Sequence, residues 1–318
     1  MTRDYSGCIC MDKSYENLAH LPGSSCNITE DVGEVLLQLA QNTAAKEDMN
    51  AEGISSIVGV QLMVASQGAP QTARTPEEIA SKLKTYLNIS ELVMDAKYSK
   101  EWAAAGINKS AADLMDATEL YAKKLGKMMD DSADPCRPLS VPGITVMAEI
   151  MKVRKGCEDF DSKGKDLRMP AGNSSATLAG TRPRDSVSIT QFALTGMVNA
   201  SEFTIVSILF DRLGAHLPQS MTAESRALTN NTRVLVGSRV FAVSIDPPIA
   251  AEFMWGAQDI VELDLELSAP NTGNQKKVFC SYFKFDKYFL LSYHSHLPKM
   301  NLFEMLYFSY PVGFQVFI

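Results

Sequence analysis

The hydrophobic pattern of this chain changes near residue 134, and that change constrains the fold more than any other feature. Before it, apolar residues recur at helical spacing, and after it the apolar runs are shorter and strand-like. The segment DPCRP at 134–138 separates the two parts. Pro135 and Pro138 lack an amide donor and restrict the residues before them, so no helix continues through this segment. We therefore expect an α+β fold in which helices come first.

The first part predicts four helices. Apolar residues fall at helical spacing in two early sets, Val32, Val35, Leu36 and Leu39 after Thr29, and then Ile54, Ile57, Val58 and Leu62. The third helix has the clearest start, because Thr75 can cap it, Pro76 suits the first turn and Glu78 completes a capping box.

The third helix should bury one face, and the fourth should follow the same rule. Their expected core positions are Ile79, Leu83 and Leu87 in the third helix and Leu114, Tyr121 and Leu125 in the fourth. The fourth helix is predicted to open at Ser110. Trp102, between the two helices, is expected to be a core anchor because of its size.

The second part predicts an antiparallel β-sandwich. Its strand-like runs cover residues 144–153, 187–194, 203–217, 235–246, 259–267 and 278–286. The run at 259–267 alternates without interruption, with apolar Val261 to Leu267 on one side and Glu262, Asp264 and Glu266 on the other. This is typical of a sheet with one buried and one solvated face, so the acidic row is interpreted as solvated rather than as a binding stripe.

Composition limits the partners and the chemistry. The 318 residues fit about two domains, and 46% hydrophobic content is enough for buried cores. A net charge of −7 argues against nucleic acid or an anionic membrane as the main partner. The sequence has no P-loop, no G-x-S-x-G and no metal-ligand spacing, so we expect no enzyme activity, no cofactor and no metal site.

Asparagine usage favours the secretory pathway. Six of the 13 Asn lie in N-x-S/T sequons: Asn27, Asn88, Asn108, Asn173, Asn199 and Asn230. This excess favours an extracellular, glycosylated chain. Unused sequons in a cytosolic protein are the alternative.

Six cysteines fit an extracellular chain only loosely. Cys8, Cys10 and Cys26 lie near the N-terminus and Cys280 stands apart. The best disulfide candidate is Cys136–Cys157, whose loop of about 20 residues would contribute roughly 3 kcal/mol by restricting the unfolded chain. Two free buried thiols are the alternative.

The sequence shows neither a leader nor an anchor. The first 20 residues lack an apolar core segment, and no run of 18 apolar residues occurs. Because the sequons favour secretion, we expect the chain to be a fragment with a missing N-terminal part.

Several motifs resemble a known family when they are taken in order. They are FDRLG at 210–214, SRVFAVSID at 238–246, DIVELDLEL at 259–267 and CSYFKF at 280–285. This order resembles the last third of a GAIN domain, the juxtamembrane module of adhesion G protein-coupled receptors. Residues 99–129 are similar to the last helices of that family, 139–153 to its first sandwich strand, and 168–179 to a loop of small residues. The resemblance implies a small helical subdomain followed by a larger β-sandwich.

The resemblance fails where the family cuts itself. The family has a cysteine-rich motif that ends in His-Leu-Thr or His-Leu-Ser, whose hydroxyl attacks the preceding Leu carbonyl. Here Cys280 matches the first family cysteine but no later cysteine exists, and His296 and Leu297 are followed by Pro298, which has no hydroxyl. The chain is therefore not expected to cleave itself.

The last residues differ from the rest. From Tyr282 to Ile318, 12 of 37 residues are Phe or Tyr. A splice variant or a translated intron would give such a tail, and a genuine edge strand that covers the exposed sheet is the alternative. We accordingly predict four parts: a cysteine-containing remnant or linker at 1–28, a helical subdomain at 29–134, a β-sandwich subdomain at 135–286 and an atypical tail at 287–318.

The leading functional hypothesis is the GAIN-like extracellular region of an adhesion receptor, with a structural, regulatory and protein-interaction role. The implied partners are other extracellular or cell-surface proteins, and the seven-helix domain of the same receptor if the full chain exists. The implied location is the outer side of the plasma membrane, or the medium if this chain is the complete product. A soluble secreted binding protein or decoy is the second hypothesis. An unrelated hydrolase is a third, with little support in the sequence.

Overall fold

The structure is a computed structural model of the 318-residue chain. It describes residues 30–45, 49–66, 75–105, 107–129, 138–154, 167–169, 186–189, 202–216, 240–246, 261–264, 279–284, 287–292, 299–301 and 314–317.

The described residues confirm the α+β class, with helices before strands. They form five α-helices: α1 Glu30–Ala44, α2 Ala51–Ser66, α3 Pro76–Val93, α4 Ser99–Ala104 and α5 Ile107–Met128. Two short 3-10 helices lie at Ala96–Tyr98, between α3 and α4, and at Leu213–His216. None of the described helices combines the length and apolarity that crossing a membrane requires.

The start of α3 is the one that the sequence predicts. The backbone N–H of Glu78 donates to Thr75 Oγ1 at 3.2 Å, and the N–H of Thr75 donates to Glu78 Oε2 at 3.2 Å. This reciprocal pair is a capping box, and Pro76 occupies the first turn. Ile79, Leu83 and Leu87 then lie on one buried face, as expected.

Two helix predictions are wrong in detail. Helix α5 begins at Ile107 rather than at Ser110. The residue before it in the sequence is Gly106, a poor helix former, and the residues from Ile107 onward are compatible with a helix. In α1, Val35 is 52% exposed. The buried stripe of α1 runs instead through Leu36, Leu37, Ala40 and Ala44.

The strands form two antiparallel sheets. The seven-stranded sheet has the order β1-β2-β5-β6-β11-β8-β9, and the four-stranded sheet has the order β10-β7-β4-β3. The strands are β1 Leu139–Pro142, β2 Val146–Arg154, β3 Leu167–Met169, β4 Ser186–Ile189, β5 Glu202–Phe210, β6 Val240–Asp246, β7 Val261–Asp264, β8 Phe279–Lys284, β9 Lys287–Ser292, β10 Lys299–Asn301 and β11 Phe314–Phe317.

Residues 139–153 form a hairpin, not the single strand that the family resemblance implies. β1 pairs with β2 from Leu139 opposite Ile150 to Pro142 opposite Met147. The chain reverses at Gly143, directly after Pro142, which cannot donate to a ladder.

The aromatic tail contributes strands to both sheets. β9 pairs with β8 and lies at the edge of the larger sheet, as the edge-strand alternative expected. β11 lies inside that sheet, paired with β6 on one side and β8 on the other. β10 pairs with β7 in the smaller sheet. The described residues of the tail are therefore paired within the two sheets.

The seven-stranded sheet is buried on both faces where β2, β5 and β6 pair. The face toward the helices carries Val146, Ala148, Ile150, Val206, Ile208, Phe210, Val240 and Ala242, which share one core cluster with the helices. The alternate positions, on the far face, are also buried and include Met147, Met151, Ile205, Leu209, Phe241 and Val243. A strand with two dry faces reads as a nearly continuous apolar run, as residues 203–210 do with Thr204 and Ser207 as the exceptions.

The four-stranded sheet has an amphipathic register. Val187 in β4 lies opposite Met169 in β3 and opposite Leu263 in β7, and Leu263 in turn lies opposite Met300 in β10. Positions directly opposite each other share a face of the sheet, so these four positions form one row. The intervening row groups Ser186 and Lys299 with Asp264. The sandwich and the four-part domain division stay predictions.

A glycine allows the helices to approach the sheet. A Cβ added to Gly126 in α5 would lie 2.6 Å from Thr204 Cγ2 and 2.7 Å from Ile150 Cγ2. Both neighbours are β-branched and have little rotamer freedom, so they could not move away cheaply. The contact between α5 and the β2–β5 pair therefore depends on a residue without a side chain.

We expect Gly126→Ala to lower the free energy of unfolding by about 1–2 kcal/mol, because the overpacking penalty exceeds the helix-propensity gain. The matched control is Gly59→Ala in α2, where no described atom lies within 4 Å of an added Cβ. That control should raise stability by up to about 1 kcal/mol. Urea unfolding followed by circular dichroism measures both, and equal effects of the two variants would contradict the close approach.

Candidate functional site

Several hydrogen bonds between residues far apart in the sequence lie in the contact zone between the helices and the larger sheet. We call this zone the junction. It consists of Glu91, Val93, Met94, Trp102, Met129, Lys152 and His216, together with the turn at 143–146.

The junction is built around the C-terminal end of α3. A helix leaves its last carbonyls without intrahelical partners, and burying them unpaired would be costly. Here the indole Nε1–H of Trp102 donates to the Val93 carbonyl at 2.6 Å, and His216 Nε2 lies 3.1 Å from the Met94 carbonyl. Trp102 comes from α4 and His216 from the 3-10 helix after β5, so one helix end ties three elements together.

The Met94 carbonyl determines that Nε2 of His216 carries a proton. A carbonyl only accepts, so Nε2 carries the proton that it donates to Met94. The ring is 2% exposed and is stacked on Trp102, with ring centroids 5.2 Å apart and planes at 20°. Nδ1 is buried and has no hydrogen-bond partner within the described part of the chain. Burial lowers the pKa of His216 below its usual value, although the Met94 hydrogen bond and the Asp95 carboxylate act in the opposite direction.

The end of α5 is tied to the sheet in the same way. Lys152 in β2 donates from Nζ to the Met129 carbonyl at 3.0 Å and forms an ion pair with Glu202 of β5 at 2.8 Å. A positive charge is favourable at the negative end of the helix dipole. Lys127, in the last turn of α5, forms a further ion pair with Asp246 of β6 at 2.5 Å.

The same device recurs inside the helical layer. Lys124 of α5 donates from Nζ to the carbonyl of Ser66, the last residue of α2. Burial, and then the nearby Lys127, lower the pKa of Lys124. Helices α2, α3 and α5 are thus each closed by a donor from another element.

Glu91 fixes the β1–β2 hairpin to α3. Its Oε1 accepts the backbone N–H of Thr145 at 2.6 Å and that of Val146 at 3.1 Å. A Cβ on Gly143 would clash with this same carboxylate oxygen and with the Val146 carbonyl. Hydrogen bonds to an ionised acceptor are about twice as strong as neutral ones, so this carboxylate is an effective clamp on the turn.

Most of the site residues predicted from sequence fall outside the described residues. These are Cys136 and Cys157 of the proposed disulfide, the isolated Cys8, Cys10 and Cys26, and the sequon residues Asn27, Asn173, Asn199 and Asn230. Cys280 lies in strand β8. Asn88 lies in α3 and Asn108 in the first turn of α5. The disulfide and the glycosylation of all six sequons stay predictions.

The junction itself was only partly foreseen. Trp102 is confirmed as a core anchor, since it is fully buried, but its role as a cap was not predicted. His216 and Lys152 gave no local signal, because their partners are 122 and 23 residues away in the chain. One indirect signal exists: α2 and α3 have no basic residue in their last turns, so their caps had to come from elsewhere.

Among the comparisons with known proteins, the one with solved structures found matches. No family model and no curated protein matches the sequence. Six chains of solved structures match. Among them is the full extracellular region of zebrafish Gpr126/Adgrg6, an adhesion G protein-coupled receptor, with a TM-score of 0.51 and 13% identity. The match covers 96% of this chain and 34% of that chain, so the present chain spans about a third of its length. At this identity the likeness shows the fold alone.

The His216 contact predicts a dependence of stability on pH. An unfolded histidine binds a proton near pH 6.5, whereas folded His216 does so only at lower pH. Below about pH 6.5 the unfolded state therefore holds more protons, and stability is lost as the pH falls toward the folded pKa, by at most about 1.4 kcal/mol per pH unit.

Urea unfolding between pH 5 and 8 tests this contribution. His216→Gln keeps a donor for the Met94 carbonyl and His216→Phe keeps the ring on Trp102, while neither titrates. In both variants the free energy of unfolding should fall less steeply than in the wild type as the pH drops below 6.5, and by the same amount. An unchanged slope in both would contradict the burial of a neutral imidazole.

Glu91 predicts an ordered series of stabilities. Glu91→Ala leaves the N–H groups of Thr145 and Val146 without this acceptor, and should cost about 1–3 kcal/mol of unfolding free energy. Glu91→Gln retains an acceptor oxygen and should cost about half as much, because only the charge assistance is lost. Denaturant unfolding measures the series, and a Gln variant as damaging as the Ala variant would contradict the clamp.

Proposed function

We propose that this chain is a GAIN-like extracellular region of an adhesion G protein-coupled receptor, with a structural and protein-interaction role. The observation that carries the proposal is the whole-chain similarity, over 96% of its residues, to the extracellular region of such a receptor. The ordered strand motifs at 210–214, 238–246 and 280–285 support it independently, since they come from the sequence alone.

The junction supports a structural role. Helices and sheet share one continuous buried core, from Leu36 in α1 to Ala242 in β6. The caps on α3 and α5 add hydrogen bonds that a relative movement of the layers would break. A module built in this way transmits force or displacement between its two ends as one body. That property suits a region placed between adhesive modules and a membrane.

The proposal includes no self-cleavage by this chain. Pro298 follows His296 and Leu297, so the nucleophilic hydroxyl of the family mechanism is missing there, and residues 293–298 lie outside the described residues. The chain is accordingly proposed to act without catalysis, cofactor or metal. Its partners would be other extracellular or cell-surface proteins, and the seven-helix domain of the same receptor where the full chain is made.

One observation favours the second candidate, a soluble secreted binding protein. The tail at 287–318 supplies strands to both sheets, including the interior strand β11. Tail residues that pair within the sheets are compatible with a soluble protein in which this segment is a folded part of the chain. Both candidates place the chain outside the cell and differ in its attachment.

Surface labelling of cells that express the native gene separates the candidates. An antibody against residues 30–129 should detect a biotinylated product in the membrane fraction that is still larger than 34.8 kDa after a glycosidase has removed its glycans. A glycosylated product in the medium that falls to about that mass after the same treatment would favour the soluble protein instead. An unlabelled, unglycosylated product inside the cell would contradict both. As a control, the recombinant 318-residue chain should run as one uncut product.

A further inference from the structure

One predicted sequon lies where a folded chain cannot present it. Asn88, Ile89 and Ser90 are in the C-terminal half of α3. Ile89 and Ser90 are both 0% exposed, whereas Asn88 is partly exposed. The acceptor sequence includes the hydroxyl as well as the amide, so both side chains must reach the modifying enzyme together.

The helix holds the two side chains apart. Residues at positions i and i+2 of a helix do not face each other, so Asn88 and Ser90 lie on different sides of α3. The Ser90 hydroxyl accepts a hydrogen bond from Gln61 Nε2 of α2 at 2.9 Å and lies 3.4 Å from the Tyr86 carbonyl. Presenting the sequon therefore requires both unwinding of α3 and separation of α3 from α2.

The surroundings of Ser90 are firmly packed. Tyr86 donates its hydroxyl to the Gln61 carbonyl at 2.8 Å and stacks on Tyr121 of α5, with ring centroids 4.1 Å apart. Burial raises the pKa of Tyr86 well above its usual range, so the hydroxyl remains a donor. Gln61 Nε2 also reaches the Tyr86 carbonyl at 3.2 Å. Local opening at Ser90 would break this whole set of contacts.

We propose that Asn88 is a conditional glycosylation site, open to the transferase only before α3 packs against α2. In this transfer the Asn amide nitrogen forms a bond to the anomeric carbon of the sugar and releases a proton to a base of the transferase. The bond from that carbon to a lipid-linked diphosphate donor breaks, and the diphosphate leaves with the electron pair. Because Asn88 is partly exposed, a sugar added early still has a way to solvent in the folded chain. The inference rests on the proposed extracellular location.

Occupancy of each sequon can be measured on the 318-residue chain secreted behind a cleavable signal peptide. Peptide mass spectrometry should find Asn88 much less occupied than the sequons outside the described helices. Leu83→Ala removes a fully buried side chain on the packed face of α3 and leaves the sequon intact, so it should delay packing and raise Asn88 occupancy several-fold. Lys84→Ala, at an exposed neighbouring position, is the matched control and should change nothing.

A second arm does not depend on how the variants fold. Purified transferase with its lipid-linked donor should modify a synthetic peptide of residues 84–94 and leave Asn88 of the folded, unglycosylated chain untouched. Modification of Asn88 in the folded chain, or an Asn88 occupancy that Leu83→Ala leaves unchanged, would overturn the inference. Because the added signal peptide delivers the chain to the transferase in any case, these outcomes leave the proposed function unaffected, which surface labelling of the native product tests separately.

Discussion

The fold depends on the hydrogen bonds that the carbonyls at the buried C-terminal end of α3 accept. Its last carbonyls lie inside the protein, where an unpaired polar group is costly, and the chain supplies donors from Trp102 and His216. Those two side chains can reach the helix end only if α4 and the segment after β5 are already in place. Glu91, in the last turn of helix α3, accepts hydrogen bonds from the loop between β1 and β2 and so joins that hairpin to the same helix end. The helical and β parts are therefore fixed to each other by polar groups as well as by apolar packing.

The chain also shows why local signals predict one class of feature and miss another. The capping box at Thr75 and the apolar face of α3 involve residues three or four positions apart, so the sequence predicts them correctly. The hairpin at Gly143 depends on Glu91, more than 50 positions earlier, and the tail strand β11 depends on β6 and β8. The hydrophobic periodicity of a sequence does not indicate such distant partners, because it indicates only which face of a helix or strand a residue occupies. The exposed Val35 makes the same point, since spacing alone does not identify which stripe of α1 is buried.

Lysine side chains of the described residues make two different kinds of contact. Lys152 and Lys124 act mainly as donors to helix ends, and Lys82 forms an ion pair with Glu34 between α3 and α1. Exposed pairs of the last kind contribute little to stability, whereas a buried donor that meets an otherwise unpaired carbonyl removes a desolvation cost. A count of ion pairs would therefore underrate Trp102 and His216, which form none among the described contacts but close the central helix end. The similarity in fold to the extracellular region of an adhesion receptor is thus accompanied by interlayer contacts that belong to this chain's own residues.

The interior position of β11 has a consequence for synthesis. β6 ends at Asp246 and its neighbour β11 begins only at Phe314, so residues 247–313 must be made between them. At ribosomal speeds of about 5–20 residues per second, those roughly 70 residues take on the order of 3–14 seconds. Throughout that interval the ladder side of β6 is open, and open strands are templates for pairing with other chains. Nascent copies on one messenger would be each other's nearest competitors for β6, so crowding of ribosomes on the message becomes a determinant of the yield of folded protein.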